Sequence, residues 1–122
     1  MSDATYTVEV IEGSPVVTAP EEMDITNADA LAEILRSADC GDVVVDMSRT
    51  VFCDSVGLGV LVRGHQRAQA CGGGLRLVIQ APAVLRILAV SGFDQIMPRF
   101  GTLDDALADL DRRETSRANR RG

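Results

Sequence analysis

The sequence predicts a single α/β domain with a mixed central sheet of about five strands and about four helices, in the order β-β-α-β-α-β-α-β-α. Two short segments of β type open the chain, and β-branched runs then alternate with segments of helical periodicity. Crossovers of the strand–helix–strand kind favour right-handed, parallel connections around a central strand. A chain of 122 residues is long enough for one hydrophobic core and short for two, so one domain is expected.

The first elements are a hairpin and a helix. Residues 5–11 (TYTVEVI) alternate, a turn signal follows at Glu12 and Gly13, and residues 14–19 (SPVVTA) form the second strand. Residues 26–38 (TNADALAEILRSA) carry apolar side chains at helical spacing, and Thr26 is the expected N-cap.

The middle of the chain predicts the centre of the sheet. Residues 42–47 (DVVVDM) are a β-branched run of the length of a strand that is buried on both faces. A second helix is expected from Ser55 to the triple glycine at residues 72–74, where a C-cap turn would end it. Residues 75–79 (LRLVI) predict the next strand.

The last third of the chain predicts two more helices. Pro82 suits the first turn of a helix that ends near Gly92, and a brief strand is expected around Ile96 and Met97. Thr102 is the expected cap of the last helix. Residues 111–122 contain no apolar side chain larger than alanine, so a domain of residues 1–110 with a basic, disordered tail is expected.

Charge and composition exclude several classes of function. The formal net charge is −6, and residues 1–110 carry seven arginines against 16 acidic residues, a formal charge of −9. Such a surface repels nucleic acid and anionic lipid, so no nucleic-acid or membrane partner is expected, and a basic or nucleotide-carrying protein partner is favoured. Neither a secretory leader nor a long apolar stretch is recognisable, which predicts a cytoplasmic protein.

Cysteine and histidine usage favours neither a metal site nor a disulfide framework. Cys40, Cys53 and Cys71 form no Cys-x-x-Cys pair, and His65 is the one histidine, so no metal is expected and the cysteines are predicted to be reduced thiols.

The stretch FCDSVGLGV, residues 52–60, leaves three roles open for Ser55. It suits the start of a helix, where Asp54 or Ser55 would cap free N–H groups. It partly matches the Gly-x-Ser-x-Gly turn of serine hydrolases, but Cys53 replaces the first glycine and His65 lies ten residues along the same helix, roughly 15 Å away. It also suits phosphorylation, since a phosphate at a helix start would meet free N–H groups and the positive dipole end.

Two loops are expected to meet at the carboxyl ends of the strands. These are residues 19–25 (APEEMDI) and residues 48–54 (SRTVFCD), so Asp24 and Ser55 are expected on one edge of the sheet. Glycines at positions 57 and 59, inside the first turns of a helix, indicate close approach of another backbone or of a partner.

Three segments together resemble the STAS domain of anti-sigma factor antagonists, over about residues 6–110. They are VVVDMSRTVFCDSVGLGVLV (43–62), EEMDITNADAL (21–31) and GLRLVIQAPAVLRILAVSGFDQIMPRF (74–100). The resemblance implies a STAS fold and a protein that, when unphosphorylated, binds an anti-sigma factor with serine kinase activity and so releases a sigma factor. Phosphorylation would reverse this binding, and a phosphatase would reset the protein.

The resemblance also implies the site residues. The phosphoacceptor of the family matches Ser55, and its neighbouring aspartates match Asp54 and Asp24. The adjoining Val56, Gly57 and Leu58 are expected to contact the partner as well. Many members have a second hydroxyl residue where this chain has Val56, so one hydroxyl is left at the site.

In this interpretation the chain is the substrate of a kinase and not an enzyme, and it holds no cofactor of its own. ATP would be bound by the partner, and the chain lacks both a P-loop motif and any lysine. The alternative function is a non-catalytic STAS scaffold module in a larger signalling or lipid-transport assembly.

Overall fold

The structure is a computed structural model that describes the backbone of residues 6–38 and 41–121. The strands are β1 (Thr7–Ile11), β2 (Ser14–Thr18), β3 (Glu22–Met23), β4 (Val43–Met47), β5 (Phe52–Cys53), β6 (Leu75–Ile79) and β7 (Arg99–Phe100). The helices are α1 (Ala28–Ser37), α2 (Ser55–Ala70), α3 (Pro82–Ser91) and α4 (Leu103–Arg121), with a 3-10 turn at Phe93–Gln95. Within the described ranges, no helical segment combines the length and apolar character that a bilayer span needs.

The main sheet has five strands in the order β1-β2-β4-β6-β7. β1 and β2 are the antiparallel hairpin, and the other neighbouring pairs are parallel. The valines at positions 43, 44 and 45 in the central strand β4 are all buried, as a strand covered on both faces requires. The mixed α/β fold class predicted from the sequence is therefore confirmed.

Helices cover both faces of this sheet. On one face α1, α2 and α3 pack on the side chains of Val17, Val45 and Leu77. On the other face α4 places Ala106, Leu107 and Leu110 against Val16, Val44 and Val78. Because successive strand residues point to opposite faces, the valines at positions 44 and 45 serve different layers of the core.

A buried ion pair fixes α4 to the sheet. The guanidinium of Arg76 in β6 is only 2% exposed, and its Nη1 donates to Asp42 Oδ1 at 3.0 Å. Its Nε donates to Asp109 Oδ2 on α4 at 2.8 Å. A buried guanidinium is tolerated only where it is paired and hydrogen-bonded, and its bond to Asp109 joins α4 to β6.

Helix boundaries at glycine and proline agree with the sequence. α2 begins at Ser55, Pro82 lies in the first turn of α3, and Gly92 ends α3 in the left-handed conformation with φ +82°. Thr102 caps α4, because its hydroxyl oxygen accepts the Asp105 N–H at 3.1 Å.

Two local predictions are wrong. Thr26 does not cap α1, whose N-cap is Asn27, because Asp24 builds a separate turn and accepts the Thr26 N–H at 3.0 Å. The brief strand is not at Ile96 and Met97, because a 3-10 turn follows Gly92 and pairing with β6 begins only after Pro98. Met97 is instead buried in the core.

The tail and the cysteines also differ from expectation. The backbone of α4 is helical to Arg121, so most of the segment expected to be disordered is helix, while a domain boundary at residue 110 remains a prediction. Cys53 is a free, buried thiol, but Cys71 is disulfide-bonded, so the expectation of reduced thiols is wrong for Cys71. Cys40 lies outside the described residues.

The triple glycine forms the tight turn between α2 and β6. Gly72 has φ +86°, and the Gly73 N–H donates to the carbonyl of Ala68 at 2.9 Å, which closes the end of α2. A Cβ added at Gly73 would lie 2.4 Å from the carbonyl carbon of Gly41, so two backbone segments touch there.

We expect Gly73→Ala to lower the free energy of unfolding by about 1–3 kcal/mol, because the new methyl group overlaps the backbone of Gly41. Urea denaturation checks this value. Gly101→Ala is the matched control, since an added Cβ there meets no atom within 4 Å and should change stability by less than about 0.5 kcal/mol. Equal effects at the two positions would contradict the close backbone contact.

Candidate functional site

The site lies where two loops leave the carboxyl ends of β2 and β4. Residues of the two loops pair as the short parallel strands β3 and β5, with Met23 opposite Cys53. The Val51 N–H donates to the Glu21 carbonyl at 2.8 Å, and the Asp54 N–H donates to the Met23 carbonyl at 3.0 Å. These bonds hold the two loops side by side, as expected from the topology.

The carboxylate of Asp54 joins the start of α2 to the neighbouring loop. Its Oδ1 accepts the Gly57 N–H at 2.9 Å, which is an N-cap hydrogen bond. Its Oδ2 accepts the Ile25 N–H at 3.1 Å. One side chain therefore sets both where the helix begins and where the loop of Asp24 lies.

Asp24 organises the turn that precedes α1. Its carboxylate accepts the N–H and the hydroxyl of Thr26, and its own N–H donates to Asn27 Oδ1 at 3.1 Å. The Tyr6 hydroxyl donates to the same amide oxygen at 3.0 Å. Asp24 thus lies beside Asp54 as a half-buried carboxylate that is held by local hydrogen bonds.

Burial and nearby carboxylates shift two ionisable groups beneath the loops. Burial, with a smaller contribution from the charge of Asp54, raises the pKa of the Cys53 thiol to about 12. Burial likewise raises the pKa of Tyr6, with smaller contributions from Cys53, Asp24 and Asp54. Both groups are therefore neutral at physiological pH, and Cys53 is a core thiol rather than a nucleophile.

Ser55 is the first residue of α2 and is exposed to solvent. Among the described residues, none accepts or donates a hydrogen bond at its hydroxyl. Because the N-cap bond of Asp54 goes to Gly57, the first N–H groups of the helix remain directed toward the surface at Ser55. A negatively charged group on this oxygen would meet the positive end of the helix dipole.

Gly57 lets the start of α2 lie directly against the loops. A Cβ added there would lie 3.1 Å from Cys53 Sγ and 3.3 Å from the Met23 carbonyl oxygen. The predicted close backbone approach is therefore present at Gly57. At Gly59 an added Cβ would meet only the guanidinium of Arg63 on the same helix.

The other residues expected to contact the partner differ in their exposure to solvent. Val56 is exposed beside Ser55, whereas Gly57 and Leu58 are buried beneath it.

Sequence reasoning missed four exposed apolar side chains on the two loops and the first turn of α2. Ile25 is 71% exposed, Val51 is 58% exposed and Phe52 is 45% exposed. Together with Val56 they form what we call the apolar rim. The one signal in the sequence was the adjacent apolar pair Val51 and Phe52 in a loop between a strand and a helix.

The one histidine of the chain is not available to Ser55 as a base. His65 is buried on α2 and its Nδ1 accepts the Leu75 N–H at 3.0 Å, so it holds β6 against the helix. In the part of the chain that the structure describes, no group of three potential metal ligands comes together.

Comparisons with known proteins give the family of the chain. A family model described as "STAS domain" matches residues 5–106. The anti-sigma F factor antagonist of Paenibacillus polymyxa is 28% identical over 103 residues, which are 81% of this chain and 88% of that protein.

Two solved structures share the fold. The crystal structure of an anti-sigma factor antagonist from Mycobacterium paratuberculosis is 32% identical, has a TM-score of 0.76, and matches over 86% of this chain and 92% of that one. An anti-sigma-factor antagonist (STAS) domain protein from Planctomyces limnophilus is 23% identical, with a TM-score of 0.79 over 88% of this chain and 99% of that one. Since the family model spans residues 5–106 and the fold agrees over 86% of the chain, the chain belongs to the STAS domain family.

Proposed function

We propose that this protein is an anti-sigma factor antagonist that binds an anti-sigma factor with serine kinase activity and is switched off by phosphorylation of Ser55. The observation that carries the proposal is the exposed Ser55 hydroxyl at the start of α2, next to Val56 of the apolar rim. The names of the relatives, an anti-sigma F factor antagonist and an anti-sigma factor antagonist, support the same function.

The apolar rim supplies the contact area for the partner. Exposed apolar side chains that cluster around polar groups are typical of protein interfaces, and an aromatic ring is a frequent anchor. Phe52 and Ile25 project from the two loops that Asp54 holds together, so they form one preorganised surface. The buried Gly57 and Leu58 lie beneath this surface, where they support its position.

Phosphorylation would transfer the γ-phosphoryl group of ATP, held with magnesium by the kinase, to the Ser55 oxygen. The bond from Oγ to phosphorus forms as the bond to the ADP oxygen breaks, and the hydroxyl proton passes to a base of the kinase. ADP then leaves the kinase. A phosphatase would return Ser55 to the free hydroxyl by hydrolysis.

The phosphate would act through charge at the interface. It adds about −1.5 to −2 charges at pH 7, next to the carboxylates of Asp24 and Asp54 and near the exposed Glu21 and Glu22. A partner that packs on the apolar rim would then have to desolvate this charge, which weakens binding. The helix start meanwhile stabilises the phosphate on the free chain.

The first test is the site of modification. Incubation with the cognate anti-sigma factor kinase and Mg-ATP should add one phosphate, located on Ser55 by mass spectrometry, because Val56 leaves no second hydroxyl beside it. Ser55→Ala should remain unlabelled, while Ser91→Ala, altered at the far end of α3, should be labelled like the wild type. A kinase that is active on another substrate but leaves Ser55 unlabelled would rule out the switch.

The second test separates charge from shape at Ser55. Ser55→Asp should weaken binding to the kinase at least about tenfold, whereas Ser55→Asn, of the same shape without the charge, should bind within about threefold of wild type. Ser55→Ala should bind and escape regulation. Calorimetric titration measures each affinity, and equal affinities for the Asp and Asn variants would show that charge is not the switch.

The third test concerns the apolar rim. We expect Phe52→Ser to weaken partner binding by about 1–2 kcal/mol with an unchanged melting temperature, because the ring is exposed in the free protein and buried in the complex. Val10→Ser is the matched control, since Val10 is also exposed but pairs with Pro15 at the opposite edge of the sheet. If both variants bind as the wild type does, the partner does not dock on the rim.

A further inference from the structure

We propose that the cleft between α1 and α2 is a second ligand site, which binds a small phosphomonoester with an apolar substituent. The cleft has a volume of about 250 Å³. Its walls carry Arg36 from the end of α1 and Arg63 and Arg67 from α2. This site, which we call the arginine cleft, does not depend on the function proposed for Ser55.

Helix geometry brings the three arginines together. Arg63 and Arg67 are four residues apart, so they lie one above the other on the same face of α2. Gly64 between them lets α1 lie close, since a Cβ added there would meet Leu35 Cδ1 at 2.7 Å. The Arg67 Nη2 donates to the Arg36 carbonyl at 3.3 Å, which places its guanidinium over the end of α1.

The floor of the cleft is apolar. Ala32 and Leu35 of α1 and Val60 of α2 line the cleft together with the three arginines. A ligand can therefore place an apolar group on this floor while an anionic group is bound above it. Pockets that combine an apolar surface with a few convergent polar groups are typical of small-molecule sites.

The cleft is lined by positively charged side chains, whereas the protein as a whole carries a net negative charge. Residues 1–110 contain seven arginines and no lysine against 16 acidic residues, and three of those arginines line this one cleft. Arg36 pairs with Glu33 at 2.7 Å, but within the described residues no carboxylate lies within 4.0 Å of Arg63 or Arg67. Their mutual repulsion is relieved when an anion binds between them.

A phosphomonoester fits these groups better than other anions of the same charge. Its tetrahedral dianion offers three oxygens, and planar guanidinium groups donate to such oxygens in pairs. The volume is below the roughly 300–1,000 Å³ of drug-sized pockets, so the ligand is small. The Arg63 guanidinium reaches back over Gly59, but the α2 residues that line the cleft begin at Val60, so the cleft does not include the first turn of α2 with Ser55.

The test titrates the full chain with phenyl phosphate, inorganic phosphate or phenol, and binding is measured by the chemical-shift changes in heteronuclear NMR spectra. Phenyl phosphate should bind saturably with shift changes in α1 and α2 around the cleft, at least about fivefold more tightly than inorganic phosphate, and phenol should not bind. Shift changes confined to the N–H groups at the start of α2 would overturn the proposal. So would the absence of any saturable change.

Variants locate the binding groups. The double variant R63Q/R67Q should lose at least about tenfold in affinity for phenyl phosphate, and the R63K/R67K variant should recover only part of it, because lysine keeps the charge without the planar donor pair. Arg86→Gln, altered on an exposed arginine of α3, should bind as the wild type does. Equal losses of affinity in R86Q and R63Q/R67Q would indicate a general charge effect and contradict the site. If a variant fails to fold, the chemical-shift map of the wild-type protein still tests the proposed site.

Discussion

The carboxylate of Asp54 is the interaction on which the arrangement of the candidate site depends. With one oxygen it accepts the Gly57 N–H and starts α2, and with the other it accepts the Ile25 N–H and fixes the neighbouring loop. Ser55 therefore has a defined position relative to both loops before any partner arrives. A hydroxyl on a loose loop would not have that preorganisation, which lowers the entropic penalty of binding.

The sheet beneath makes this contact possible. β2 and β4 are parallel neighbours, so the loops that follow them leave at the same edge and come within hydrogen-bonding distance. The absence of a side chain at Gly57 then lets α2 approach the Met23 carbonyl closely. The small residue in the first turn of α2 thus serves the contact between helix and loop, which explains its presence in spite of its low helix propensity.

Periodicity and glycine signals were enough to predict the order of the main elements, because the valine run of β4, the start of α2 at Ser55 and the stop at Gly92 are local features. The pairing of β3 with β5 was not predictable, since two-residue strands form only when distant loops meet. The start of α1 was not predictable either. Asp24 accepts the Thr26 N–H in a local turn, and the helix is therefore capped at Asn27 rather than at Thr26. The arginine cleft joins Arg36 to Arg63 across 27 positions of sequence, and no short motif marks it.

The placement of Ser55 at a helix start also determines where a phosphate would exert its effect. A negative group in the first turn is stabilised by the helix dipole, typically by about 0.3–1 kcal/mol at a surface, so the fold tolerates the modification. A bound partner would instead cover that group with apolar surface, and removing a charge from water without a partner charge is far more unfavourable. The same phosphate would therefore be favourable in the free chain and unfavourable in a complex with the proposed partner. A switch of this kind changes affinity through the interface alone and requires no rearrangement of the domain.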